Sequence, residues 1–100
     1  MTLYEKRVSS FLNYCKYEKN LSDKTIKAYT IDLKQYKAKI SNTDYADEIF
    51  AKTAIKEYLY HINKLYKPKT IKRKIATLKA FFSFLEFEDH IQQSPFRKIR

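Results

Sequence analysis

Residues 67–87 read KPKTIKRKIATLKAFFSFLEF, and the periodicity of this stretch decides the fold. Ile71, Ile75, Leu78, Phe82 and Leu85, with Phe81 beside them, recur at three- and four-residue steps. That is the spacing of one buried stripe on an α-helix. Steps of 100° per residue put Lys69, Lys72, Arg73, Ala76, Lys79, Ala80 and Ser83 on the opposite side. The arc is basic and small-sided, and no acidic residue occurs between Lys64 and Ser83. The helix start is electrostatically odd. Its first turns hold Lys67, Lys69, Lys72, Arg73 and Lys74, where the partial positive charge of a helix N-terminus favours Asp or Glu. Each such cation costs a few tenths to about 1 kcal/mol. A docked anion, a phosphate above all, would offset that cost. For this helix alone, a solvated lysine face and an anion-binding face explain the pattern equally.

Three more helices precede it. Residues 2–19 carry the stripe Tyr4, Val8, Phe11, Leu12 and Cys15. After the turn at Asn20-Leu21, Ser22 and Asp23 are both good N-caps for a second helix to about residue 39. Its stripe is Ile26, Tyr29, Leu33, Tyr36 and Ile40. The opposite face holds Lys24, Lys27, Ala28, Ile31, Lys34, Gln35 and Ala38, again basic with small residues. Ile31 stands out there, placed to meet a thymine methyl or another helix. Residues 41–52, SNTDYADEIFAK, turn acidic and irregular, which reads as a connecting loop with a short helical turn. Thr53 is the expected cap of a third helix to about residue 66, with Ile55, Tyr58, Leu59, Ile62 and Leu65 buried. Lys67-Pro68 breaks it, because the residue before proline avoids the α region. Proline is tolerated in the first turn of the next helix.

Lys24-Thr25-Ile26-Lys27 recurs as Lys69-Thr70-Ile71-Lys72. Both tetrapeptides open a long helix after a preceding helix and a tight turn, so the chain reads as two helical hairpins. A first-turn threonine hydroxyl and the free N–H groups beside it can bond phosphate oxygens, and the flanking lysines supply charge.

One hundred residues make one domain, burying about two-thirds of the unfolded surface. With 44% hydrophobic residues a core forms without staples. The 21 Lys+Arg against 11 Asp+Glu give a net charge of +10, which points to an anionic partner. Nucleic acid fits better than a membrane surface, because a four-helix core consumes the apolar faces. No apolar run reaches transmembrane length, and MTLYEKRV has no signal-peptide core. The single Cys15 excludes an intramolecular disulfide, sits on a packing stripe and fits a cytoplasmic setting. Glycine is absent, which excludes phosphate-cradling glycine loops. Asn20, Asn42 and Asn63 are then the available left-handed helix caps.

No catalytic set emerges. His61 and His90 have no Cys or His at metal spacing. Asp44, Asp47 and Glu48 match no Ca²⁺ loop. Tyr29, Tyr36 and Tyr58 lie on buried stripes with no organised base. No metal or other cofactor is expected.

FLNYCKYEKNLSDKTIKAYTIDLKQY and KPKTIKRKIATLKAFFSFLEFEDHIQQSPF together resemble the N-terminal core-binding domain, a SAM-like four-helix fold, of tyrosine recombinases of the phage-integrase and Xer class. The motifs are Ser22, Thr25, Ile26 and Tyr29 at the second helix, then Thr70, Ile71, Arg73, Leu78, Phe81, Phe82 and Leu85 at the fourth. Two departures fall near the end. Ser94-Pro95 stands where Asn-Pro is usual, and Asp89-His90 replaces the glycine before Ile91.

The resemblance implies an all-α, four-to-five-helix orthogonal bundle of two hairpins. Residues 1–93 would bind DNA, and residues 94–100 would begin a linker to a C-terminal catalytic domain not in this chain. It implies a domain that clamps duplex DNA at a recombination site, with the second and fourth helices at the major groove, and that is not itself an enzyme. Other recombinase protomers on the DNA would be partners. The expected DNA contacts are Lys24, Thr25, Lys27, Lys34, Lys69, Thr70, Lys72, Arg73 and Lys79, mostly to phosphate, with Arg73 the candidate for reading a guanine edge. Two other classes remain: a helical protein-interaction domain with an acidic partner, and a freestanding regulator that binds DNA as a dimer.

Overall fold

Two of the helices begin where a side-chain hydroxyl accepts a first-turn N–H. The computed structural model describes residues 2–40 and 52–98. It contains, in order, four α-helices, α1 (Leu3–Tyr17), α2 (Asp23–Ile40), α3 (Lys52–Leu65) and α4 (Pro68–Phe87), then a 3-10 turn over Pro95–Lys98. No strand occurs among the described residues. α1 packs on α2 and α3 on α4, and both α1 and α2 touch α4. The all-helical expectation holds. Asn42, Asp44, Asp47 and Glu48 lie outside the described residues.

Thr2 caps α1 reciprocally. Its hydroxyl accepts the Glu5 N–H at 3.1 Å, and the Glu5 carboxylate accepts from the Thr2 N–H. Lys37 of α2 reaches the same carboxylate at 2.9 Å. Ser22 rather than Asp23 caps α2, its Oγ accepting the Thr25 N–H at 3.2 Å. Lys67 precedes α4 in extended backbone, with no side-chain cap and Pro68 in the first position. The expected cap at Thr53 is corrected, because α3 already starts at Lys52 and Thr53 lies in its first turn.

Left-handed residues end two helices. Asn20 does so after α1, with φ 55°. After α4 the residue is Asp89, with φ 60°. There the His90 N–H bonds the Leu85 carbonyl at 2.8 Å and the Asp89 N–H bonds that of Glu86 at 3.1 Å, the paired closure of a Schellman motif. Asn63 is not a cap. It lies inside α3, where its side-chain N–H₂ donates to the Leu59 carbonyl at 2.7 Å.

The core is one aromatic-rich cluster. α1 contributes Tyr4, Phe11 and Cys15, α2 contributes Leu33, Tyr36 and Ile40, and α3 contributes Ile55, Tyr58 and Ile62. α4 adds Leu78, Phe81, Phe82, Phe84 and Leu85. Phe81 is central, with ring centroids 5.4 Å from Phe11, 5.7 Å from Tyr4 and 5.3 Å from Phe82, all edge-on. The Tyr4 hydroxyl donates to the Leu33 carbonyl at 2.7 Å, so its burial leaves no polar group unmet. Leu65, expected inside, is 61% exposed. It is the last residue of α3, and the turn into Pro68 packs Tyr66 against the core in its place.

A polar lock crosses the α2–α4 seam. Asp32 is 1% exposed, with Lys74 at 2%. Asp32 accepts from Arg73 Nε at 3.2 Å and Nη2 at 2.7 Å, from Lys74 Nζ at 3.0 Å and from the Thr77 hydroxyl at 2.8 Å. Lys74 also donates to Gln35 and lies 4.9 Å from the centre of the Tyr66 ring. Burial alone would push the Asp32 carboxyl up. The bonds from Arg73, Lys74 and Thr77 outweigh it and hold the group below the usual carboxylate value.

Residues 94–98, expected to leave the domain, fold back onto α3 and α4. Phe96 sits 6.1 Å from the Phe82 ring. Glu86 accepts the Ser94 N–H at 2.6 Å and Arg97 Nε at 2.8 Å, and also bonds Arg97 Nη2. This gives an acid at a helix C-terminus a specific use.

These contacts make three stability outcomes testable. Asp89→Gly removes both the left-handed strain and an unfavourable anion at a helix C-terminus, so it should stabilise the domain by about 1 kcal/mol and raise Tm by roughly 4–8 °C; a thermal melt monitored by circular dichroism checks this. Asp32→Asn strands the Lys74 ammonium and should cost about 3–5 kcal/mol in urea unfolding, while adding Lys74→Met should recover part of the loss. The third outcome concerns acid. Glu5 is held at about 2 by Lys37 and the Thr2 cap, and Glu86 at about 2 by Arg97 and the Ser94 N–H. These carboxyls and Asp32 sit below their unfolded values near about 4. Their stabilisation is therefore present above that pH and lost as pH falls towards 2, so urea midpoints should drop below about pH 5, and less steeply in Asp32→Asn.

Candidate nucleic-acid interface

The two K-T-I-K segments occupy the same helical register. α2 starts at Asp23 and α4 at Pro68, so each lysine–threonine pair fills the second and third helical positions. Lys24, Lys27, Lys69 and Lys72 are exposed, and Thr25 and Thr70 are half-buried. Thr25 Oγ1 accepts from the Ser22 hydroxyl at 3.0 Å, whereas α4 has no side-chain cap. Among the described residues, none of these four lysines, nor Lys34 or Lys79, makes an ion pair.

The nine expected contacts lie in different surroundings. Lys34 lines the recess between α1 and α2 with Val8, Thr30 and Lys37. Lys79 lines another with Ser83, Glu86, Phe96 and Arg97, beside the folded-back segment. Ile31 is 45% exposed and lies on the lysine arc of α2. Arg73 does belong to the outer arc of α4, with its side chain 49% exposed, yet its Nε and Nη2 are bound to Asp32.

Sequence alone groups Lys74 with the cations of the helix start, and the structure corrects that. Its ammonium is buried against Asp32, Gln35 and Tyr66 and is closed to any ligand. Sequence reasoning also misses Asp32, Gln35 and Thr77 as a set. A signal exists: Asp32 lies three residues after Tyr29 and four before Tyr36, and Lys74 lies three after Ile71 and four before Leu78. Opposite charges at buried-stripe positions of two helices announce a pair.

The recess between α1, α2 and α4, about 470 Å³, is lined by Phe11, Cys15, Tyr29 and Phe84 among others, with Lys19 its one charge. Cys15 is buried, and that burial raises its thiol. Burial likewise pushes Tyr36 up, and Tyr58 up to about 12, so both phenols stay protonated. No described helix is long and apolar enough to cross a membrane.

Comparison with known proteins identifies the family. A tyrosine recombinase of Agathobacter rectalis is 43% identical over 100 residues, which is all of this chain and 32% of that protein. The tyrosine recombinase XerC of Halalkalibacterium halodurans is 32% identical over 89% of the chain and 30% of its own length. The tyrosine recombinase XerD of Staphylococcus epidermidis is 34% identical over 88% of the chain and 30% of its own length. The chain thus spans about a third of the curated relatives it matches. No solved structure matches it. The model of the phage integrase N-terminal SAM-like domain matches residues 8–89, and the chain belongs to that family.

Proposed function

We propose that this chain is the DNA-binding domain of a tyrosine-type site-specific recombinase, which clamps duplex DNA at the recombination site through the outer faces of α2 and α4. One observation carries the reading. Two packed helices present K-T-I-K in the same register, with four lysines unpaired by any carboxylate among the described residues. The α2 segment 24–39 has one acid, Asp32, and it is buried; α4 has none before Glu86. A face so free of anions repels itself and is stabilised by a polyanion. The relatives are named tyrosine recombinases and are about three times as long, which suits a domain that delivers DNA to a catalytic partner domain in the same protein and works beside other protomers.

Lys24, Thr25, Lys27, Lys69, Thr70 and Lys72 would position phosphates, and Ile31 would meet a thymine methyl. Lys34 and Lys79 would reach phosphates from the edges of the face. Titration of the chain with an arbitrary duplex should move backbone amides in residues 22–35 and 67–80. If roughly six phosphates are neutralised, log K should fall with log salt at a slope near −5. Lys27→Gln or Lys72→Gln should each flatten that slope by about 1. A slope near zero, with the chain held instead by an acidic protein, would overturn the reading.

A further inference from the structure

Asp32 bonds two cations of α4 at the α2–α4 seam, and their surroundings differ. It neutralises Lys74, which is wholly buried and committed to Asp32, Gln35 and the Tyr66 ring. It also takes one edge of a guanidinium that is not buried. Arg73 Nε and Nη2 bond the two Asp32 oxygens at 3.2 and 2.7 Å, in the side-on, two-bond geometry that fixes a guanidinium plane. Thr77 at 2.8 Å and Lys74 at 3.0 Å hold the carboxylate itself in place. Arg73 Nη1 makes no hydrogen bond among the described residues, and the side chain is half exposed on the arc that carries Lys69 and Lys72.

We propose that Asp32 is a positioning residue for sequence recognition: it locks Arg73 so that the outer Nη edge is offered, already oriented, to the O6/N7 edge of a guanine. The inference rests on the duplex-DNA reading above. Charge favours a base over a phosphate. The Asp32 anion cancels much of what Arg73 could add to a general attraction, and unpaired lysines already supply that attraction. What a locked fork adds is geometry at low entropic cost, and guanine presents two acceptors side by side.

The test is a selection of the 100-residue chain against a randomised duplex library, then affinities for the preferred and a scrambled duplex at fixed salt. In Asp32→Asn the preference should fall roughly tenfold. The scrambled duplex should be held as tightly as by the wild type or tighter, because an anion has left a basic surface. Asp32→Asn/Lys74→Met should behave alike without a stranded ammonium, which covers the case where the single variant does not fold. In the wild type, 7-deazaguanine at one position of the preferred duplex should cost a similar factor. An unchanged preference in a folded variant, equal weakening on both duplexes, no sensitive guanine, or a wild type that binds every duplex equally would each overturn the inference and leave the DNA-binding reading standing. A wild type that binds no duplex at low salt would overturn both.

Discussion

The structure depends on one carboxylate taken out of water. Moving an isolated carboxylate into a protein interior costs several kcal/mol, and Asp32 is offset by four hydrogen bonds from three α4 side chains. Each of those donors lies within the first three turns of α4, and Asp32 lies in the middle of α2. The bonds can form in one register only. The surrounding faces are aromatic and aliphatic, and such surfaces tolerate sliding far better than a charge does. Slipping α4 by one turn would leave the Asp32 anion and the Lys74 ammonium buried and apart. The lock therefore sets how the two lysine-bearing helices lie against each other, and with it the shape of the surface they share.

The second constraint is a chain without glycine. A helix hairpin needs a sharp exit, and the left-handed residue that makes it has to come from elsewhere. Asn20 is a good substitute, since its short amide side chain tolerates that region. Asp89 is a poorer one, because it places an anion at the negative end of α4. The structure accepts the cost where it joins a second device. Glu86, one turn earlier, ties down Ser94 and Arg97, so the chain folds back over Phe82 instead of leaving α4 directly. Two acids unfavourable to the helix itself thus direct the chain as it leaves α4.

Much of this is legible in the sequence, and the errors have physical causes. The buried stripes of α1, α2 and α4 come from three-and-four spacing, as does the outward position of Lys24, Lys27, Lys69 and Lys72. Helix ends are less legible, at Thr53, Asn63 and Leu65, because a cap residue competes with its neighbours over a difference of about 1 kcal/mol. The Asp32–Lys74 lock is hidden for another reason. Hydrophobic periodicity assigns a charge to the outside by type before asking where its angle falls, and both residues sit at angles where the stripe demands burial. Arg73 is the boundary case, because its position at the edge of the arc lets one side of the guanidinium face Asp32 and the other face solvent.

The outer surface obeys an opposite rule to the seam. At the seam every charge has a fixed partner. On the outer arcs Lys24, Lys27, Lys34, Lys69, Lys72 and Lys79 meet no carboxylate among the described residues, so the free domain carries repulsion that its core has to outweigh. Dissolved salt acts on these two regions differently. It screens the exposed lysines from one another within about 10 Å at 0.1 M, which relieves the free domain. It scarcely reaches the dry Asp32 cluster. The same screening removes the counterion gain that a bound polyanion would give. Salt should thus favour the isolated fold and disfavour its complex, two effects of opposite sign from one set of lysines. A surface held only for solubility would not require them to be aligned in register on two helices locked together from within.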